Sequence, residues 1–337
     1  MIIGKELYIL DSMKDSKTKR NADRLGKKTM RKITHRPLRC ACRECLTPTH
    51  SKAAMIQSGG LGCAEPAALA ALAGHSPLVA NMSGFKSSGF TFPTTQVFVH
   101  PPERDRIISA GLLQSGQWAH KGNEATRRKI VGMIARVLSA APGTSFLDLG
   151  ANIGTFSMPL LAAGFRGLLF EAMPANAWLL RASVCALGAT TASIFAPIAL
   201  GSHSGGSACM QILKASNSGA AAAMLDDGAG CAAGARVPVA TLDSLVDCRS
   251  AGTRVAAMKM DVEGSEVAVM QGAMAFLSRC RPASIFVEVN KFFDKAAIIA
   301  PRSSKNRSSD MMRMLTLNGY VVKQKLSHHD YHFVLQH

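Results

Sequence analysis

Aromatic side chains are scarce in this chain. They make up 6% of its 337 residues, with two Trp and three Tyr, too few for the interleaved stacking platforms that single-stranded nucleic acids favour. Acids are scarce as well, 22 Asp and Glu against 39 Lys and Arg. Also missing is any apolar run of the roughly 20 residues that a membrane helix needs. The best candidate, residues 67–80, is Ala-rich but interrupted by Gly74, His75 and Pro77, so no transmembrane segment is expected. The opening MIIGKELYILDSMKD carries an acid by position 6 and no long apolar stretch behind a basic start, which argues against a secretory signal. Nine cysteines show no framework spacing, so free thiols in a reducing compartment, and a cytoplasmic location, are the expectation. Residues 12–58 are rich in Arg, Lys, Ser and Thr, which leaves an organellar transit peptide open.

The net charge of +17 is unevenly placed. Residues 1–60 hold fourteen Lys and Arg against five Asp and Glu, whereas from Gly143 onward seventeen face thirteen. The basic character is mainly a property of the tail and says little about core chemistry. This tail is polar and weakly periodic, which reads as largely disordered. Cys40, Cys42, Cys45 and His50, with Cys63 as a spare, invite a zinc reading. Their C-x-C-x-x-C spacing lacks the paired C-x-x-C knuckles of a zinc site, so scattered thiols are the favoured reading. The run KKTMRK at 27–32 resembles a nuclear-localisation or anionic-surface patch, but a solvated basic tail accounts for it. Residues 61–95 are rich in Ala, Gly, Ser and Pro and read as a connector. The chain therefore divides into a basic region with its connector, 1–95, and a folded domain, 96–337.

TQVFVH, from Thr95, reads as a short strand, and Asn123 as the cap of a helix running to about Ala140. From Ser145 the pattern alternates. SFLDLG is an apolar strand, IGTFSMPLLAAG a helix stopped by Gly164, and GLLFEA a second strand. Pro174 opens the next helix at its favoured first-turn position. ASIFAPIAL is a third strand. After the nearly featureless stretch 201–235 come RVPVATL and VAAMKMDVEG as strands, a helix over 265–277, the strand PASIFVEVN, and a helix over 309–317. GYVVKQKL and DYHFVLQ close the chain as a hairpin at one edge. Strands alternating with helices imply a mostly parallel sheet covered on both faces, a doubly wound α/β fold.

Three segments carry chemistry. In DLGANIG, a strand runs into a tight turn that opens a helix. Gly150 allows close backbone approach, Asn152 tolerates a left-handed conformation, and Gly154 packs helix against strand. Such a turn serves dinucleotides and S-adenosylmethionine alike. Asp148 before the first glycine would repel a pyrophosphate but suit the amino group of a methionine moiety, and no Lys follows to make a P-loop. Glu171 ends the next strand, where a carboxylate can accept both ribose hydroxyls, with Ala172 and Met173 flanking the adenine. In KMDVEGSE, Asp261 closes a strand at the end of the sheet that faces a ligand crevice, while Glu263 and Glu266 favour a helix N-terminus.

DLGANIGTFS, FEAMPAN, VATLDSL, KMDVEGSEVAVMQGA and IFVEVN, in this order, resemble the FkbM family of class I methyltransferases. The resemblance runs from about Asp105 to His337, and DRIISAGLLQSGQW is similar to the family's lead-in. It implies a Rossmann-like sheet of seven strands with an antiparallel last strand, S-adenosyl-L-methionine as cofactor, and O-methylation, often of a sugar or polyketide hydroxyl. The expected partner is thus a small molecule or a glycan. Methyl transfer asks the protein to align donor and acceptor and to remove a proton. Asp261 and Glu263 are the candidates near the reacting centre, with Glu288 as a substrate or supporting contact. The three could instead hold a magnesium ion, although no metal is the favoured reading. His328, His329 and His332 read as edge-strand residues rather than a base. Alternatives are a methyltransferase docked on nucleic acid or protein through the basic tail, a non-catalytic S-adenosylmethionine-binding protein, and, at the level of fold alone, a dehydrogenase.

Overall fold

A computed structural model of the chain describes residues 56–57, 67, 78–212, 217–218, 221–225, 231–232, 234–249, 253–289 and 307–336. All of them belong to one compact unit, Cys40–His337. Cys40, Cys42, Cys45, His50, Cys63 and the run 27–32 lie outside the described residues.

In chain order the elements are β1 (Ile56–Gln57), β2 (Leu78–Met82), β3 (Phe85–Ser87), β4 (Phe90–Phe92), β5 (Thr95–Val99), α1 (Ser109–Ser115), α2 (Lys121–Ala140), β6 (Ser145–Leu149), α3 (Ser157–Ala162), β7 (Arg166–Phe170), α4 (Pro174–Leu187), β8 (Ala192–Phe195) and β9 (Ala199–Leu200). They continue with β10 (Ser207–Ile212), β11 (Ala221–Leu225), β12 (Arg236–Ala240), α5 (Leu242–Leu245), β13 (Val255–Met260), α6 (Glu266–Gln271), α7 (Met274–Cys280), β14 (Ser284–Glu288), α8 (Arg307–Leu317), β15 (Tyr320–Lys325) and β16 (Asp330–Leu335).

The main sheet has the order β1-β8-β7-β6-β13-β14-β16-β15. Strands β8, β7, β6, β13 and β14 run parallel, and β16 is antiparallel to both β14 and β15. Seven strands form the body, and β1 adds two residues antiparallel to β8. The last strand is antiparallel, as expected, but it sits inside the sheet and leaves β15 at the edge. Residue alternation along the strands separates two apolar layers. Phe146, Leu169, Ile194, Ala257 and Phe286 pack with α2, α3 and α4. Leu147, Leu149, Phe170, Met258, Met260 and Val287 pack with α6, α7 and α8. No described helix is long and apolar enough to cross a membrane.

Four expectations change. Part of the supposed connector is folded from Leu78 on: β2 pairs with β5 and β3 with β4. These strands are too short, and too interrupted by Ser83-Gly84 and Ser88-Gly89, to show a period. The stretch 201–235 is not featureless, for β10, β11 and β12 join β9 in a four-stranded sheet. Its core is built from Ala199, Ala208, Ala223, Val237 and Val239, residues small enough to pass for linker composition. The helix expected over 265–277 is two helices. Gly272 divides them, and a Cβ there would lie 2.0 Å from the Gly201 carbonyl oxygen. Finally, α2 begins at Lys121 with His120 as its cap residue, so Asn123 lies in the first turn.

The thiols also depart from expectation. Cys209 pairs with Cys231 and Cys248 with Cys280, at Cα–Cα separations of 5.6 and 5.5 Å, within the range for a disulfide. Partners 22 and 32 residues apart leave no short-range spacing to read.

Candidate functional site

Parallel strands deliver their C-terminal ends to one edge of the sheet, and the loops leaving those ends diverge around a crevice. In this chain the crevice is a cavity of about 580 Å³. Gly150, Asn152, Glu171, Ala172, Asp261, Glu263 and Glu288 all line it. Asp148, Gly154 and Met173 are not among its lining residues. Met173 packs instead on the core of the four-stranded sheet.

The turn after β6 is built by backbone geometry. Gly150 has φ 79° and Asn152 φ 53°. A Cβ on Gly150 would fall 1.8 Å from the Asp261 carbonyl oxygen, so the close approach demanded of this glycine is to the neighbouring strand's end. At Gly154 an added Cβ would meet Leu180 at 2.9 Å and Met158 at 3.0 Å. That close packing joins α3 to α4, where a helix-to-strand contact was expected.

Glu171 is buried and holds the turn from the β7 side. One of its oxygens accepts the Asn152 N–H and the other the Met173 N–H, both at 2.7 Å. Burial pushes its carboxyl up to about 7 against the pull of these two bonds. The Asn176 side chain bonds the same carboxyl, so of the four lone pairs on its two oxygens one position remains for a ligand.

Asp148 is only 1% exposed. It accepts a hydrogen bond from the Ser157 hydroxyl at 2.5 Å, and the Lys259 ammonium lies 3.3 Å away. Burial raises the Asp148 carboxyl, opposed by Lys259 and Ser157. Lys259 also donates to the Gly150 carbonyl at 2.9 Å and sits 3.6 Å from Asp261. Desolvation alone would lower its pKa, but Asp148 and Asp261 outweigh that and hold the ammonium charged. Its charge also lies 4.8 Å from the centre of the Phe156 ring.

At the β13 and β14 ends several acids come together. Asp261, Glu263 and Glu288 line one part of the cavity, and Glu288 pairs across strands with Asp330. Asp261, burial, Asp330 and Glu263 together drive the Glu288 carboxyl far above its ordinary range. Glu263 is held at φ 49°, a costly backbone conformation for a side chain with a Cβ. Glu266 turns back, its carboxylate accepting the Gly264 N–H at 2.9 Å, and burial raises it to about 7. No group of three or more His, Cys, Asp or Glu able to hold a metal ion occurs among the described residues.

His332 is buried on the interior strand β16, stacked 4.5 Å from the Phe286 ring centre and bonded to the Ser284 hydroxyl at 3.2 Å. Burial pushes its pKa down to about 4. It is a neutral core residue, and it occupies an interior strand where an edge was expected.

Several contributors went unnoticed in the sequence. Trp118 lines the cavity and packs edge-on against Phe156, centroids 5.8 Å apart. Behind it, Glu124 binds Arg127 at 2.7 Å and Arg128 at 2.6 Å, and Arg127 donates to the Thr155 carbonyl at 2.8 Å. The Glu-x-x-Arg-Arg spacing on α2 was the available signal. For Lys259 it was a lone charge inside an otherwise apolar strand, VAAMKM. Asn176 also lines the cavity, linked to His100 at 2.7 Å.

Residues 148–322, just over half of the chain, match the family described as Methyltransferase FkbM domain. No curated protein is significantly similar in sequence. Among solved structures, the chain is similar to the methyltransferase FkbM from Methylobacillus flagellatus KT, with 15% identity over 56% of this chain and 43% of that one, at a TM-score of 0.37. It spans less than half of that protein's length. It is also similar to magnesium protoporphyrin IX methyltransferase from Synechocystis PCC 6803, solved with bound SAM, with 11% identity over 64% and 83% of the two chains and a TM-score of 0.32. For the tRNA (uracil-54, C5)-methyltransferase of Pyrococcus abyssi, solved with S-adenosyl-L-homocysteine, the values are 12%, 61%, 38% and 0.30.

Proposed function

The chain belongs to the FkbM methyltransferase family, and from that premise we propose that it is an S-adenosylmethionine-dependent O-methyltransferase acting on a hydroxyl of a small molecule or glycan. The observation that carries this reading is the crevice at the strand ends, with the glycine turn and Glu171 on one side and three acids on the other. The two apolar layers on opposite faces of the sheet favour the doubly wound class I arrangement.

The residues fit the cofactor. Glu171 keeps an acceptor position after binding Asn152, Met173 and Asn176, which suits a ribose hydroxyl. Ala172 and Ile198 supply apolar lining next to it for an adenine. The Gly150–Asn152 turn and Asp261 take the methionine portion. Asp148, with its charge committed to Lys259 and Ser157, positions the turn and Lys259 rather than touching ligand. Bound S-adenosylmethionine supplies a methyl group activated by its sulfonium.

What remains for the protein is alignment and proton removal. Asp261 or Glu263 accepts the proton of the acceptor hydroxyl. Glu288, carrying its own proton, donates a hydrogen bond to the acceptor instead of competing as a base. Calorimetry with S-adenosylhomocysteine tests the reading. Glu171→Ala should weaken binding by about 1–3 kcal/mol through lost charge-assisted hydrogen bonds. Binding of NAD with none of S-adenosylhomocysteine would overturn it.

A further inference from the structure

Glu171 is also held by a buried polar chain that starts away from the crevice. Asn176 stands in the first turn of α4 and is 2% exposed. Its side chain bonds the Glu171 carboxyl, and its Nδ2 donates to the Ser218 carbonyl at 3.3 Å. Its Oδ1 lies 2.7 Å from Nε2 of His100, which follows β5 and is 1% exposed. His100 itself is not a lining residue of the cavity.

These partners fix where the hydrogens lie. An ionised carboxyl and a peptide carbonyl only accept, so the Asn176 atom that faces them is nitrogen, and both of its hydrogens are used. Its oxygen is left to His100, whose Nε2 therefore carries the hydrogen between them. Take that donor away and a buried amide oxygen loses its bond. Flipped, the amide would set that oxygen against the Glu171 carboxyl and the Ser218 carbonyl, lone pair against lone pair.

A donor beside a carboxyl favours its charged form, and a charged carboxylate binds a hydroxyl more strongly. Burial raises Glu171, while the Met173 and Asn152 N–H groups, the Lys259 charge on β13 and the Asn176 amide pull the other way. Behind the imidazole, the Ser109 hydroxyl accepts the His100 backbone N–H and donates to the Asp105 carboxylate. Resting on the cofactor placement given above, we propose that His100 is a positioning residue of the cofactor site. It donates to Asn176 Oδ1, turns the amide nitrogen onto Glu171, and so keeps that carboxylate ready to accept a ribose hydroxyl.

The test uses the full chain with His100→Leu, His100→Gln, Asn176→Leu and the double Leu variant. Each is unfolded in urea and titrated with S-adenosylhomocysteine at about pH 6 and about pH 8, on either side of the Glu171 ionisation. Without ligand, His100→Leu should lose more stability at the higher pH, where the folded chain must ionise a Glu171 deprived of its donor. On a Glu171→Gln background that pH difference should vanish. The S-adenosylhomocysteine affinity should move the opposite way, falling about 10-fold at the lower pH and only about 2-fold at the higher. The ligand's own amino group is common to all variants and drops out of the comparison. His100→Gln, which offers an amide N–H near the place of Nε2, should restore both readouts. In the double variant the affinity should equal that of Asn176→Leu, because His100 acts through the amide.

Losses of equal size at both pH values overturn the proposal, since a core residue of purely structural use would give them. So do additive losses in the double variant, or a Gln variant that behaves as the Leu one. If the unmodified chain binds no S-adenosylhomocysteine, the cofactor reading falls instead, and the pH difference in stability still decides whether His100 acts on Glu171.

Discussion

Two neighbouring ends of the sheet carry the same kind of residue and treat it oppositely. At β6, Asp148 is sealed from solvent, with the Lys259 ammonium at 3.3 Å and the Ser157 hydroxyl at 2.5 Å. At β13 and β14, Asp261, Glu263 and Glu288 face a cavity, and the same lysine lies 3.6 Å from Asp261. One end closes around a single acid; the other gathers three and stays open to the cavity. Burial beside a cation makes an acid a structural element, and burial among other acids makes it a proton store poised for chemistry.

The largest effect should come from removing the shared cation. Lys259→Met leaves Asp148 buried without its counter-charge, a change expected to cost about 3–5 kcal/mol. Urea unfolding of the variant measures it. A loss under about 1 kcal/mol, the worth of an exposed pair, would break the contrast, because the β6 end would then be no more sealed than the other.

Much of this geometry was legible in the sequence. The parallel strands show as short apolar runs, and their C-terminal acids mark the crevice directly: Glu171, Asp261, Glu263 and Glu288 all reach the cavity. Sequence placed Asp148 in the same class, since position along a strand does not reveal which neighbour neutralises it. Lys259 stands 111 residues later in the chain, and only the β6–β13 pairing brings the two together. The four-stranded sheet escaped notice for a different reason. Its alanines and glycines carry neither a helical nor a strand period strong enough to read, and its fold comes from tertiary pairing rather than local preference. Trp118, which lines the cavity, lies on the connection between α1 and α2, outside any strand pattern.

Acidity sharpens the comparison next. Glu171 and Glu266 are both raised by burial to about 7 from an ordinary value of 4.5. Between those pH values the folded chain keeps protons that the unfolded chain has released, so stability falls as pH rises through the window. His332 acts in the other direction. Lowered to about 4, it stays neutral in the folded chain where the unfolded imidazole takes a proton, which favours the folded state as pH rises from about 4 to 6.5. Glu288, Asp148 and Asp330 are raised as well, so the carboxyls outweigh the one imidazole and leave a net decline of at least about 2 kcal/mol between pH 5.5 and 8. Thermal unfolding of the unliganded protein across that range checks the sign. A Tm that climbs toward pH 8 would mean that these carboxyls are ionised and well compensated in the folded chain.

The last effect isolates Glu288. Its carboxyl is held protonated by Asp261, by burial, and by Asp330 and Glu263. A glutamine reproduces the shape and neutrality of a protonated glutamate while exchanging one donor for two. The unfolded glutamate has released its proton by pH 7, and the folded one has to keep it. Glu288→Gln removes that cost and should stabilise the folded chain near pH 7 by on the order of 1 kcal/mol or more, as urea unfolding reads it. It should also flatten the decline of stability above about pH 4.5. A loss of stability at pH 7 would show instead that the Glu288 carboxylate is ionised in the folded chain and held there by favourable partners. In that case Glu288 would compete for the acceptor's proton instead of donating a hydrogen bond to the acceptor.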